Sequence, residues 1–113
     1  MSRDQAYQLM TEMIQNVNLR KHALAVEAIM KSLAQKFGED EEEWGIVGLL
    51  HDADYELVQK DPNKHTLVTE EKLRPLGVSE RIINGIKAHH EEAKPNRENL
   101  MEKAIYTEHE SSV

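Results

Sequence analysis

Histidines and carboxylates are the side chains of this 113-residue sequence with the capacity for metal chemistry, because it contains no cysteine and therefore no thiol nucleophile or thiolate ligand. His51 and Asp52 stand side by side directly after the apolar stretch 46–50, where a hydrophobic helix ends. The pair has two interpretations: polar residues that end a buried helix, or part of a metal site. The dipeptide alone does not distinguish between them. The other histidines are His22, His65, His89, His90 and His109.

Helices must position these side chains. Glycine and proline number only five and three, aromatic residues make up 4% of the chain, and no strand pattern occurs, so the composition favours an all-helical fold. Short connections predict one single-domain helical bundle of about six helices over residues 1–113. The predicted helices run from Ser2 to about Asn16, from Asn18 to Gly38, from Asp40 to about Asp52, from Asp61 or Asn63 to just before Pro75, and over ERIINGIKAHHEE and RENLMEKAIYTEHE.

Each histidine also has an ordinary structural explanation. His22 belongs to an apolar stripe of the second helix, and a lone histidine on such a stripe is more often a satisfied core residue than a ligand. His89 and His90 fall in the last turn of the fifth helix, where a cation suits the helix dipole. His65 fits an exposed helix start, and His109 fits a frayed chain end. The stripe of the second helix consists of Leu19, His22, Val26, Ile29, Leu33 and Phe37.

Taken together, the histidines predict more than each predicts alone. Single imidazoles from facing helices, with one carboxylate that can bridge, are what a metal site in the core of a bundle needs. Because no thiolate is available, the donors suit one or two ions of zinc, iron, manganese, nickel or cobalt. The donors come from the middle of the second helix (His22), the end of the third (His51, Asp52), the start of the fourth (His65) and the end of the fifth (His89, His90).

The order H…HD…H…HH resembles the HD superfamily of metal-dependent phosphohydrolases. The surrounding sequence also resembles that family: a first histidine on a helix is followed by a glycine, an acidic spacer and apolar residues that lead into HD. This segment reads KHALAVEAIMKSLAQKFGEDEEEWGIVGLLHDADYE. GIKAHHEE is similar to the family's later histidine-bearing helix end. The resemblance covers about Asn18 to Tyr106, and the ordered set is far more specific than the dipeptide.

The resemblance implies a role for each matching residue. Asp52 is expected to bind the first metal and to bridge to a second one where two are present, and it is a candidate catalytic residue. The first metal's other implied ligands are His22 and His51. The second metal's implied ligands are His65, His89 and His90.

Two acids follow the dipeptide closely, Asp54 and Glu56. Either is a candidate acceptor that orients a ligand imidazole, or an acid/base group acting on metal-bound water. Asp54 is the second candidate catalytic residue. For Glu56, a solvated acid in a loop is the favoured interpretation.

The chain departs from the family pattern near its end. The family closes its first metal site with an Asp in a context resembling KALYAVDELTG, whereas this sequence reads KAIYTEHESSV. His109 stands at the aligned position and is a candidate replacement ligand, with Glu108 as the weaker choice. The alternative is an altered or incomplete site in a short member of the family that lacks the usual C-terminal helices. A neutral imidazole in place of Asp would weaken the hold on a hard cation.

These features predict a phosphohydrolase, either a phosphomonoesterase or a phosphodiesterase, that acts on a nucleotide or another small phosphate ester through metal-activated water. A di-iron oxygenase of the HD type and a catalytically impaired metal-binding domain are the alternatives. The net charge of −7 argues against a nucleic-acid polymer or an anionic membrane as partner. No apolar segment of membrane-spanning length occurs, so a cytoplasmic protein is expected, and apolar surface left by missing helices suggests a homodimer.

Overall fold

Five α-helices and one short 3-10 turn make up the regular structure within the part of the chain that the structure describes. The computed structural model describes residues 1–58 and 64–88, and no strand occurs in these ranges, so the predicted fold class is confirmed. The predicted sixth helix lies outside them. No helix in the described ranges has the length and apolar character that crossing a bilayer requires. The elements are α1 (Arg3–Met13), α2 (Val17–Phe37), α3 (Glu41–Leu50), α4 (Leu67–Leu73), the 3-10 turn Arg74–Leu76 and α5 (Glu80–Ala88).

Capping side chains decide where the first three helices begin. Ser2 begins α1 with a capping box, and Asp40 caps α3 through the backbone N–H of its third residue, as the sequence predicts. The start of α2 differs from the prediction. Asn16 caps this helix instead of Asn18, because its side-chain oxygen accepts from the N–H groups of Asn18 and Leu19.

The central helix is α3, whose last seven residues are buried on all sides. Every residue from Trp44 to Leu50 is buried, and the helix packs along α2 and against α1 and α5. Gly48 allows the close approach to α2, because a Cβ here would lie 2.9 Å from the carbonyl oxygen of Val26 and 3.1 Å from Cα of Glu27. The backbones of α2 and α3 therefore meet one helical turn before His51.

The face that α2 turns to the core coincides only in part with the one its apolar spacing predicts, since Val26 is buried as predicted and Leu19 and Leu33 are partly buried against the core. Phe37, the last residue of the predicted stripe, is 44% exposed, and His22 is only partly buried. Small side chains and one acid occupy much of the observed core face, because the close contact with α3 leaves little room there. The predicted stripe is wrong in this respect, and His22 lies at the edge of the core. The buried residues are Ala23, Val26, Glu27, Met30 and Ala34.

The fourth helix begins later than predicted, and His65 precedes it. α4 starts at Leu67, and Thr66 before it has a positive φ of 71°. A β-branched residue rarely adopts this left-handed conformation, which interrupts a helix arriving from upstream. The predicted starting residues Asp61 and Asn63 lie outside the described ranges. The placement of His65 within a helix is wrong, since it lies in a turn.

Candidate metal centre

The last turn of α3 positions His51, which is fully buried. Its Nδ1 atom lies 2.6 Å from the carbonyl oxygen of Gly48 in the same helix. Because a carbonyl oxygen only accepts, Nδ1 carries the proton and Nε2 is the atom offered to a metal. Nε2 lies 3.2 Å from Oδ2 of Asp52. The helix backbone therefore sets both the orientation and the tautomer of this imidazole.

His22 reaches the same carboxylate oxygen from α2. Its Nε2 atom lies 3.4 Å from Oδ2 of Asp52, and its ring centroid lies 5.2 Å from that of His51. One ligand atom from each of these three residues lies within 4.8 Å of the other two. This convergence follows from the backbone contact at Gly48, which places the first half of α2 beside the end of α3.

His65 approaches Asp52 from the other side and is held by Asp54. Its Nε2 atom lies 3.2 Å from Oδ1 of Asp52, and its Nδ1 atom lies 2.7 Å from Oδ1 of Asp54. Asp54 is fully buried and also accepts from the backbone N–H groups of Thr69, at 3.2 Å, and of Thr66. An imidazole held between an acceptor carboxylate and a metal position is a common arrangement in metal sites.

The carboxyl of Asp52 remains ionised at neutral pH. Burial raises its pKa, but the charge of His51 and the hydrogen bonds from His22, His51 and His65 outweigh burial and hold the pKa far below its usual range. A carboxylate that stays anionic inside a cluster of imidazoles supplies the negative charge that a divalent cation needs.

His65 carries a proton when no metal is bound. Burial lowers the pKa of its imidazole, but the hydrogen bonds to Asp52 and Asp54 outweigh burial and raise the pKa to about 9. Burial also raises the pKa of Asp54, and the hydrogen bonds that it accepts, first of all from His65, lower it in net effect. At neutral pH the metal-free centre therefore holds a proton between two carboxylates, in a place where a cation also fits.

The donor geometry fits a divalent metal. Ligand atoms at about 2.1 Å from one ion lie about 3.0 Å apart at a right angle and about 3.4 Å apart at the tetrahedral angle. The nitrogen–oxygen distances of 3.2, 3.4 and 3.2 Å from Asp52 to His51, His22 and His65 fall within these limits. Oδ2 faces two imidazoles and Oδ1 faces the third, which is the position that a bridging carboxylate requires.

Four of the residues predicted as ligands come together in the described part of the chain, and the rest lie outside it. The four that converge are His22, His51, Asp52 and His65. Those outside the described residues are His89, His90, His109 and the alternative Glu108. Their roles remain predictions.

The two acids after the dipeptide point to different places. Asp54 contacts His65, which is the geometry of an acceptor that orients an imidazole. Glu56 instead accepts from the backbone N–H groups of Gln15, at 3.1 Å, and Asn16, at 2.7 Å, in the turn between α1 and α2. Glu56 is therefore a partly exposed acid in a turn, and its hydrogen bonds run to the backbone between α1 and α2 and not to an imidazole of the centre.

Three residues shape the centre without having been predicted to do so: Gly48, Thr66 and Thr69. Gly48 provides both the close helix contact and the carbonyl that orients His51. A glycine one helical turn before the His–Asp pair was a visible sign of this role. The two threonines act through backbone N–H groups, which no side-chain type reveals.

Comparison with known proteins assigns a family to this arrangement. The model of the HD domain family matches residues 19–110, a range that contains all six histidines and Asp52. Among curated proteins, Ribonuclease Y of Geobacter metallireducens is 32% identical over 79 residues, and Ribonuclease Y of Thermosipho melanesiensis is 36% identical over 78 residues. These alignments cover 70% and 69% of this chain but only 15% of each relative. No solved structure gives a significant match.

Proposed function

We propose that this chain, which belongs to the HD domain family, is a metal-dependent phosphohydrolase that cleaves a small phosphate ester. The observation that carries the proposal is the convergence of three imidazoles on the two oxygens of one ionised carboxylate, Asp52. Imidazole and carboxylate donors bind manganese, iron, cobalt, nickel or zinc, and the two faces of Asp52 offer places for one or two ions.

The residues of the chain prepare the centre for such an ion. A bound divalent cation would supply a water of lowered pKa and neutralise charge on the phosphoryl group. His51 and His65 present Nε2 to the centre because Gly48 and Asp54 engage their Nδ1 atoms. Asp52 stays anionic and offers one oxygen to each side.

A small ester fits the charge of the chain better than a long polyanion does. The net charge of −7 opposes the approach of nucleic acid, which binds basic surfaces. Cations at the centre would reverse this repulsion only locally, over the dimensions of one phosphate group. The name of the Ribonuclease Y relatives states an action on RNA, but the chain aligns with 15% of their length. RNA is therefore the alternative substrate, and a mono- or diester of nucleotide size is the proposed one.

Hydrolysis assays with restored metal test the proposal. Protein stripped with a chelator and supplied with Mn²⁺ should release nitrophenol from p-nitrophenyl phosphate or from its bis(p-nitrophenyl) diester, and the chelated protein should not. His22→Ala should lose this activity and part of the bound metal, whereas Ser32→Ala, an exposed substitution on the same helix, should keep both.

Other outcomes would overturn the proposal in different ways. Cleavage of a short RNA faster than either small ester, at equal concentration of phosphodiester, would make a polymer the substrate. Oxygen consumption with iron(II) and no phosphate release would favour the oxygenase alternative. A wild-type protein that binds no divalent metal would remove the basis of the proposal altogether.

A further inference from the structure

The carboxylate of Asp54 has no access to solvent, and within residues 1–58 and 64–88 its hydrogen bonds all run to the segment 65–69. Oδ1 accepts from Nδ1 of His65 at 2.7 Å, and Oδ2 accepts from the N–H of Thr69 at 3.2 Å. The N–H of Thr66 is a third donor. The buried carboxylate of Asp54 therefore fixes the position of residues 65–69 through three hydrogen bonds.

This segment needs an external acceptor. Thr66 stands at the N-cap of α4 with φ 71° and ψ −23°, and its side chain makes no capping hydrogen bond. Positive φ is strained for a β-branched residue, so it persists only where the surroundings enforce it. Asp54 supplies the missing cap from a distant segment, because Thr69 is the third residue of α4 and donates its N–H to Asp54.

Asp54 also sets the tautomer of His65. An ionised carboxylate only accepts, so Nδ1 of His65 must carry a proton and Nε2 must face Oδ1 of Asp52. His51 obtains the same tautomer from the carbonyl of Gly48, within its own helix and without Asp54. His51 at Oδ2 of Asp52 and His65 at Oδ1 are therefore held in place by different groups.

From these contacts we propose that Asp54 is the positioning residue that makes the His65 side of the centre able to bind a second metal ion, while the His22–His51 side binds its ion without it. This inference rests on the proposed function, because it takes the centre to be a metal site. It assigns Asp54 a selective effect on one ion, which a general role in stability would not produce.

Asp54→Asn tests the inference with little change in shape. The amide must direct its NH₂ group either at the N–H donors of the turn or at Nδ1 of His65. In the first orientation the NH₂ group faces backbone N–H groups, so two donors oppose each other. In the second orientation Nδ1 of His65 must accept, so the imidazole proton moves to Nε2, where it prevents metal binding. Titration with Mn²⁺ and counting of bound ions should show the second ion weakened about 10- to 100-fold and the first unchanged.

Glu56→Gln is the matched control. It removes the same charge two residues further along, but from a carboxylate that accepts from Gln15 and Asn16. This variant should bind both ions as the wild type does. Equal affinity of Asp54→Asn and wild type for the second ion, or equal weakening of both ions, would overturn the inference.

The folded state of Asp54→Asn is checked by circular dichroism. If it does not fold, the double variant Asp54→Asn/Thr66→Gly takes its place, because glycine adopts the positive φ without strain. Weak binding of only the second ion by the folded variant supports the inference, and wild-type binding of both ions contradicts it. A wild type that binds one ion overturns the inference but leaves the proposed function standing, whereas a wild type that binds none overturns both.

Discussion

His51 and His65 present the same ring nitrogen to opposite oxygens of Asp52, but different kinds of structure hold them. His51 ends a regular helix and donates to the carbonyl of Gly48 in that helix. His65 lies in an irregular turn and contacts the buried carboxylate of Asp54. We call the first side, His22, His51 and Oδ2 of Asp52, the helix-held half. The turn-held half consists of His65, Asp54 and Oδ1 of Asp52.

The difference shows that equivalent ligand geometry has two physical origins here. The helix-held half depends on the packing of α2 against α3 and on the backbone carbonyl of Gly48, which holds His51. The turn-held half depends on a buried charge and on the strained backbone of Thr66. Substitutions should therefore separate the two halves, unless they remove the residue that both share.

Asp52→Ala should have the largest effect, because it removes one oxygen ligand from each half. We expect metal affinity to fall in both halves by more than about 100-fold. This loss is larger than the one usually seen when a residue that only hydrogen-bonds a metal ligand is removed. Hydrolysis should fall with it. Metal titration and elemental analysis measure the result. Retention of one tightly bound ion would show that the carboxylate is not shared between the halves.

Gly48→Ala should damage the helix-held half more than the turn-held half. Its Cβ would meet backbone atoms of Val26 and Glu27 at 2.9–3.1 Å, so α3 must move away from α2. We expect the free energy of unfolding to fall by about 1–3 kcal/mol, a typical cost of overpacking, together with weaker binding of the ion held by His22 and His51. Chemical denaturation and metal titration measure the two effects.

Gly45→Ala is the control for this prediction, one turn earlier in the same helix. A Cβ there would meet Cε of Lys31 at 2.9 Å and Cγ of Lys31 at 3.1 Å, and this flexible side chain can move aside. The variant should keep the wild-type metal affinity. If both alanine variants weakened metal binding equally, the close contact at Gly48 would not be what positions the helix-held half.

The turn-held half should make the stability of the metal-free protein depend on pH. Burial lowers the pKa of His65, but the hydrogen bonds to Asp52 and Asp54 outweigh it and raise the pKa to about 9. In the unfolded chain the pKa of this histidine is roughly 6.5. The protonated imidazole therefore stabilises the fold fully below about pH 6.5, and this stabilisation is lost as the pH rises through 9. Its size is of the order of a few kcal/mol at most, because the group is largely buried.

Denaturation of the chelated wild type and of His65→Gln, at pH 6.5 and at pH 9, measures this contribution. The difference in unfolding free energy between the two proteins should shrink as the pH rises. A difference that stays constant or grows over this range would contradict the proposed protonation of His65 between the two carboxylates.

Arg3→Ala should have the smallest effect and should leave both halves intact. Arg3 donates to both oxygens of the buried Glu27, at 2.8 and 3.0 Å, and so ties α1 to α2. Because the Arg3 side chain is 35% exposed, we expect a loss of only about 1 kcal/mol in unfolding free energy. Thermal denaturation measures it, with Arg3→Lys as the variant that keeps the charge. A loss of metal affinity in Arg3→Ala would show that α1 helps to position the centre.

Several features of this protein could be predicted because they depend on neighbours along the chain. The caps at Ser2 and Asp40 and the glycine end of α2 at Gly38 are local signals, and the structure confirms them. The resemblance to the HD domain family also followed from the order of the histidines, and the family match confirms it. The predicted cap at Asn18 is wrong by two residues, because Asn16 has the same side chain and caps α2 instead.

The sequence by itself determined the all-helical class, the caps at Ser2 and Asp40 and the imidazole and carboxylate donors, because capping and residue type are properties of short segments. Only the tertiary structure decided which face of α2 is buried, which acid contacts which imidazole, and where Thr66 takes its positive φ. These features depend on contacts such as that between Asp54 and Thr69, which are 15 residues apart, and on backbone N–H and C=O groups. Every residue other than proline carries such groups, so residue type does not reveal which of them will meet.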